Sequence, residues 1–173
     1  ALYKGNGARL DLTDSTFLNN HAVRTDLDDS NTDGAGRGGA IFTTGSTGSP
    51  TQGSYVGGCT FEGNVADAGG AAVASWLESW FFNASSFVDN VDNSNDEGLM
   101  RLQKGHIIVR DCDFTTAQRV VDHTTTLSTL EVYCSPTLTD ANVWVCGGCD
   151  DTYDTTCGPV VDTNAFGFDV TWP

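Results

Sequence analysis

Four segments of this chain align on a phenylalanine, and that alignment constrains the fold more than any other feature. They are residues 10–20 around Phe17, 54–64 around Phe61, 80–90 around Phe87 and 107–117 around Phe114. Five residues before the phenylalanine stand Leu12, Val56, Phe82 and Val109, all apolar. Two before it stand Ser15, Cys59, Ser85 and Cys112, all small; three after it stand Asn20, Asn64 and Asn90, with Ala117 breaking the series. Side chains alternate between the faces of a strand. The apolar positions seven and five before the phenylalanine therefore share a face, whereas those two before it and at the ring have the opposite parity. All can point inward only if the chain bends between them. The residues available are Thr13-Asp14, Gly57-Gly58, Asn83-Ala84 and Arg110-Asp111, most of them turn-compatible.

A second short motif follows each segment: Gly38-Gly39-Ala40-Ile41-Phe42, Gly69-Gly70-Ala71-Ala72-Val73, Glu97-Gly98-Leu99-Met100, and a degenerate Arg119-Val120-Val121. Each reads as a strand entered through glycine. Identical residues recurring once per coil would stack at strand spacing, ~4.8 Å. Phenylalanines would fill the core and asparagines would form amide ladders inside a turn. Residues 21–37 and 44–53 then read as surface insertions. The expected fold is all-β, a right-handed parallel β-helix of about four to six coils. An antiparallel sandwich predicts no column of identical residues. Residues 1–125 carry the repeat; residues 126–173 read as Cys-rich irregular coils or a terminal cap of the same domain. The last stretch, Phe166–Trp172, reads as a final strand or a docking arm.

The pairing of Gly38–Ile41 with Phe17–Asn20 and Phe61–Asn64, and of Gly69–Val73 with Phe87–Asn90, resembles the repeats of chlamydial-type polymorphic outer-membrane proteins. These belong to the wider pectate-lyase-like β-helix class. The resemblance covers roughly residues 10–121. It implies a β-helix at the cell surface and is far more specific for fold than for function.

Charge narrows the partners. There are 23 acidic and 8 basic residues, a net charge of −15. Such a surface repels nucleic acid and anionic membranes, and suits cation binding or a salty exterior. No stretch approaches the ~20 apolar residues of a membrane span. Ala1–Gly5 does not read as a signal peptide, so a secreted form would have lost its leader or be part of a longer chain. Asn83-Ala84-Ser85 is a glycosylation sequon on a corner that would expose a glycan.

Six cysteines suit a disulfide framework in an oxidising compartment. Cys59 and Cys112 fall in one column two coils apart, ~9–10 Å, too far to pair. Cys112 with Cys134 in the next coil is a candidate pair, and Cys146, Cys149 and Cys157 are further disulfide candidates. Cys146-Gly147-Gly148-Cys149 lacks the second pair of a zinc site and the following helix of a redox motif.

Asp29-Ser30-Asn31-Thr32-Asp33-Gly34 matches the first half of a calcium loop, with Asp29, Asn31 and Asp33 as ligands. Ala40 replaces the bidentate glutamate, which excludes an EF-hand. A second acidic loop contributes Asp92 and Asp96, and Asp67 lies between the two loops in coil order. One edge would thus carry a column of carboxylates that calcium could bridge.

Many β-helices cleave acidic polysaccharides. A polygalacturonase-like hydrolase needs Asn-Thr-Asp, a separate Asp-Asp, Gly-His-Gly and Arg-Ile-Lys on successive coils. Here Asp28-Asp29 precedes Asn31-Thr32-Asp33 in one loop, Gly105-His106 lacks the final glycine, and Arg-Ile-Lys is missing. A lyase would draw its base from Arg101, Lys104, His106 and Arg110. Trp80 and Phe82 read as core; Trp76 and Phe81 are the candidates for exposure, where they would stack on sugars or pack against a partner, with core or local packing the favoured role. The sequence favours a non-enzymatic structural or adhesive module outside the cell. It would bind no nucleic acid and insert in no membrane, and would self-associate or adjoin further modules. A polysaccharide-active enzyme or glycan-binding module is the alternative.

Overall fold

The computed structural model describes residues 1–5, 9–24, 36–44, 53–94, 98–103, 105–115, 120–123, 129–135, 137, 143–145 and 151–154; for 102–103, 121–123, 129–130, 143–145 and 151–154 the backbone alone is described. Every strand pairing is parallel, and the chain climbs in coils. The first coil is β1 (Leu2–Lys4), β2 (Asp11–Thr13), β3 (Thr16–Leu18) and β4 (His21–Ala22). The second is β5 (Ile41–Thr44), β6 (Ser54–Gly57), β7 (Thr60–Glu62) and β8 (Val65–Ala66); the third is β9 (Val73–Trp76), β10 (Trp80–Asn83), β11 (Ser86–Val88) and β12 (Val91–Asp92). The fourth is β13 (Met100–Gln103), β14 (His106–Arg110) and β15 (Asp113–Thr115). Then come β16 (Val121–His123), β17 (Thr129–Tyr133), β18 (Val143–Val145) and β19 (Asp151–Asp154).

Strands stack into four sheets: A (β1-β5-β9-β13-β16-β18), B (β2-β6-β10-β14-β17-β19), C (β3-β7-β11-β15) and D (β4-β8-β12). This is the expected parallel β-helix; its crossovers are of the kind that are right-handed almost without exception. Sheets A and B continue through β16–β19, so the Cys-rich stretch supplies further rungs to both sheets.

The columns are those the sequence dictates. Phe17, Phe61, Phe87 and Phe114 are in register in sheet C. Their rings stack nearly parallel at 4.9, 4.8 and 4.7 Å. Leu12, Val56, Phe82, Val109 and Val132 align in sheet B. The bend between them is left-handed backbone at Asp14, Gly58, Ala84 and Asp111, φ 48°, 61°, 46° and 51°. A second corner follows the phenylalanine at Asn19, Gly63 and Asp89, φ 50°, 61° and 50°. It reverses parity again and turns the asparagines inward. Asn20 Nδ2 donates to Asn64 Oδ1 at 2.9 Å and Asn64 Nδ2 to Asn90 Oδ1 at 2.8 Å. The same oxygens accept the backbone N–H of the preceding rung, at 3.0 and 3.1 Å. Asn64 and Asn90 are thus buried but satisfied.

The small column works the same way. Ser85 Oγ donates to the Asn83 carbonyl at 2.9 Å and accepts Cys59 N–H at 3.1 Å. Glycine has one strict role at the entry to sheet A. Gly70 has φ 69°, and a Cβ there would lie 2.6 Å from the Val73 carbonyl oxygen, so no side chain fits.

Candidate functional site

The edge formed by sheet D and the turns after it was expected to gather carboxylates for calcium. Asp29, Asn31, Asp33 and Asp96 lie outside the described residues. Asp92 is buried, and one of its oxygens accepts Ser94 N–H at 2.9 Å and Ser94 Oγ–H at 2.7 Å, closing a turn. Among the described residues no three metal-ligating side chains converge.

Among the described residues of this edge, unlike side chains gather around Asp67. Its Oδ1 lies 3.1 Å from His21 Nε2 and accepts Asn93 Nδ2 at 3.0 Å; its Oδ2 accepts Arg24 N–H at 2.9 Å. Asp67 thereby ties the first three coils together. Asn93, His21 and the Arg24 amide hold its carboxyl at about 2, well below the usual carboxylate range. A depressed carboxyl stabilises the fold above its unfolded value, near ~4, and loses that contribution as pH falls through its folded value. Asp67→Asn should therefore lower the melting temperature at pH 5 but much less at pH 2. Thermal melts across that range check this, and a deficit independent of pH would sink it.

The cysteines divide into two classes. Cys59 and Cys112 are free and buried, as their column spacing requires. Burial pushes both thiols up, Cys112 to about 12, so they stay protonated and unreactive. Cys134 is disulfide-bonded, and since Cys112 is free its partner is not Cys112. The expected Cys112–Cys134 bridge is off by one residue. Arg110 is in register with Tyr133, which puts Cys112 level with Ser135, whose Oγ accepts its N–H at 3.0 Å. Cys134 instead occupies the left-handed corner, φ 47°. Cys146, Cys149 and Cys157 lie outside the described residues.

The described members of the basic cluster each have a different partner. Arg101, on sheet A, donates to the Ala68 carbonyl at 3.4 Å. Arg110 Nε pairs with Asp111 at 3.2 Å. His106 Nε2 lies 3.1 Å from Glu131 Oε1. That ring and the Tyr133 hydroxyl, 2.7 Å from Glu131 Oε2, hold the Glu131 carboxyl below its usual range. Lys104 lies outside the described residues. Of the two candidates for exposure, Trp76 is 38% exposed, whereas Phe81 is 0% exposed and packs locally with Ile108 and Tyr55. Asn83 ends β10 half-buried, beside the buried Ser85 of its sequon.

One charged group in the interior escaped the sequence. Lys4 Nζ pairs with Glu78 Oε1 and donates to Ser54 Oγ at 3.3 Å; Ser54 also donates to Glu78, and Leu10 N–H to Ser54 Oγ at 3.1 Å. Lys4, Ser54 and Glu78 are all buried, and Glu78 Oε2 has no hydrogen-bond partner among the described residues. The signal was Ser54 itself, a serine in a column where the other three coils have Leu10, Trp80 and Ile107.

Residues 14–44 match the model of one repeat family, and these are the residues that run from the first corner through Phe17–Asn20 to the glycine-entered strand β5. Over these residues the chain is similar to the Chlamydia polymorphic membrane protein repeat. Neither a curated protein nor a solved structure matches the chain. The matched residues thus run through strands of sheets C, D and A: the Phe-x-x-Asn half supplies β3 and the ladder amide Asn20, and the Gly-Gly-Ala-Ile half supplies the entry to sheet A, where Gly38, Gly39 and Ala40 donate to Gly69, Gly70 and Ala71 of the next coil, each at 3.2 Å.

Proposed function

We propose that this chain is a structural, adhesive module displayed outside the cell, which extends by stacking its coils on further β-helical coils of another copy or an adjoining module. The observation that carries this reading is the first coil. Its strands β1–β4 are each paired on one side only among the described residues. Phe17 stacks on Phe61 with one face, and Leu2, Leu10, Leu12 and Phe17 are only partly buried against the core. This is a rung with ladder groups and apolar edge presented outward, the feature that templates strand addition. The match to a repeat of Chlamydia polymorphic membrane proteins supports display at a surface. The net charge of −15 supports a role for calcium at the acidic loops holding Asp29, Asn31, Asp33 and Asp96. Exposed Trp76 favours glycan binding as a second reading.

Electron microscopy and light scattering of the purified protein, with and without a calcium chelator, test this. End-to-end polymers that shorten when Phe17→Asp is introduced support stacking through the first coil. Monodisperse particles at high concentration overturn it, and polymers indifferent to chelator remove calcium from the proposal.

A further inference from the structure

The two inward columns of polar side chains have a direction. In the asparagine column, Oδ1 accepts the backbone N–H of the asparagine one coil earlier, Asn64 from Asn20 at 3.0 Å and Asn90 from Asn64 at 3.1 Å. The amide nitrogen also reaches back. Asn64 Nδ2 donates to the Phe17 carbonyl at 3.0 Å, and Asn90 Nδ2 to the Phe61 carbonyl at 2.9 Å. Asn64 and Asn90 thus each grip a corner of the preceding coil at two points, an N–H and the carbonyl three residues before it. The small column does the same with one bond. Ser85 Oγ accepts Cys59 N–H at 3.1 Å, and Ser135 Oγ accepts Cys112 N–H at 3.0 Å. His106 N–H runs the other way, to Ser79 Oγ at 3.2 Å, but at the start of sheet B and outside both columns.

A rung of these columns therefore has a gripping side, facing the earlier coil, and a gripped side, facing the later one. In the first coil the gripped groups are spent, since Asn64 holds both Asn20 N–H and the Phe17 carbonyl. The gripping side remains, made by Asn20 and Ser15. Asn20 Oδ1 accepts the amino group of Ala1, so this oxygen is aimed at a nitrogen donor. Ser15 Oγ donates to the Thr13 carbonyl at 2.8 Å, as Ser85 Oγ does to that of Asn83, which leaves its lone pairs to accept in the same sense.

We infer that the stacking is head to tail: the first coil of one copy takes the trailing end of a second copy, whose backbone groups enter Asn20 and Ser15 as those of the first coil enter Asn64. The inference rests on the stacking proposed above and adds its direction and its partner. Two first coils set face to face cannot supply these groups, because each has its own turned to its second coil. Charge agrees with the direction. Residues 1–24 hold three basic residues (Lys4, Arg9, Arg24) and two acidic ones (Asp11, Asp14). Residues 120–173, which include the terminal strands β18 and β19 of sheets A and B, hold eight acidic residues and no Lys or Arg. Phe166–Trp172, within that stretch, lies outside the described residues. Head-to-tail contact thus sets the end with a positive balance against the acidic one. A contact between unlike surfaces does not close on itself, so it builds open, polar filaments and not two-fold dimers.

Mixing tests the direction. A Phe17→Asp chain has a blocked first coil but an intact trailing end. Labelled and mixed in small amounts with the parent chain, it should join parent polymers at one end only and shorten them several-fold. Exclusion of the folded variant from parent polymers overturns the direction. If the variant does not fold, photo-crosslinking decides. Tyr3 is 69% exposed on β1, the first strand of sheet A. With p-benzoyl-phenylalanine at position 3, in a mixture of isotopically heavy and unlabelled copies, irradiation should give between-copy adducts to peptides of residues 120–173. Between-copy adducts elsewhere, on residues 1–24 above all, overturn the direction and leave stacking in place. Monodisperse particles without between-copy adducts overturn the stacking itself, and this inference with it.

Discussion

Phe87→Ala is expected to cost about 3–5 kcal/mol, a large part of the ~5–15 kcal/mol by which a domain of this size is stable. Phe87 is fully buried and stands inside the ring column, 4.8 Å from Phe61 and 4.7 Å from Phe114, with Phe82 edge-on at 6.0 Å. Its removal deletes the transfer term, opens a cavity and interrupts two stacked pairs, each worth about 0.5–1.5 kcal/mol beyond burial. The backbone cannot close the gap, because rungs above and below fix the strand spacing near ~4.8 Å. Phe17→Ala is the internal comparison. Phe17 is half-buried and stacks in the column on Phe61 alone, so the same chemical change should cost about a third as much. Urea titrations of both variants with unchanged m-values give the two numbers. Equal losses at the two positions would show that the column does not act as a stack.

The column positions were legible because a β-helix repeats one environment per coil, and a repeated environment selects a repeated residue. The phenylalanines, the Ser/Cys positions, the asparagine ladder and the first corner all follow from that. The second corner, at Asn19, Gly63 and Asp89, was implied by the inward asparagines, whose spacing from the phenylalanine has the wrong parity for a straight strand. Contacts made between different columns were not legible. Asp67 is level with Asn93, each six residues after its phenylalanine, and reaches back to His21, but that column holds a different residue in each coil, so no repeated side chain announced the contact. The Cys112 pairing failed through an offset of one residue, which a single corner position decides. Alternation correctly placed Phe81 on the outer face of sheet B, but exposure depends on what covers that face, and alternation within one strand carries no such information.

Glu78→Ala is expected to be about as damaging as Phe87→Ala, for the opposite reason. Lys4, Ser54 and Glu78 come from the first, second and third coils and meet in the interior. Removing the carboxylate leaves the Lys4 ammonium buried without a counter-charge, and breaking a buried pair in this way costs about 3–5 kcal/mol. The pair itself contributes far less than that figure. Two charges have been desolvated, and Glu78 Oε2 is buried without a hydrogen bond among the described residues, so their attraction is offset by unrecovered hydration. Replacing both charges together, Lys4→Met with Glu78→Leu, should therefore return stability to within about 1 kcal/mol of the parent or raise it. Ser54 would then lose an acceptor but keep the Leu10 N–H. A double-mutant cycle measured by urea titration separates the two effects. A double variant as unstable as the worse single one would mean that the ion pair is a net stabiliser joining three coils. Recovery would mean that it is retained for register: Lys4 finds its carboxylate only when the first coil is seated in one position on the second, and a slipped rung would bury an unpaired charge.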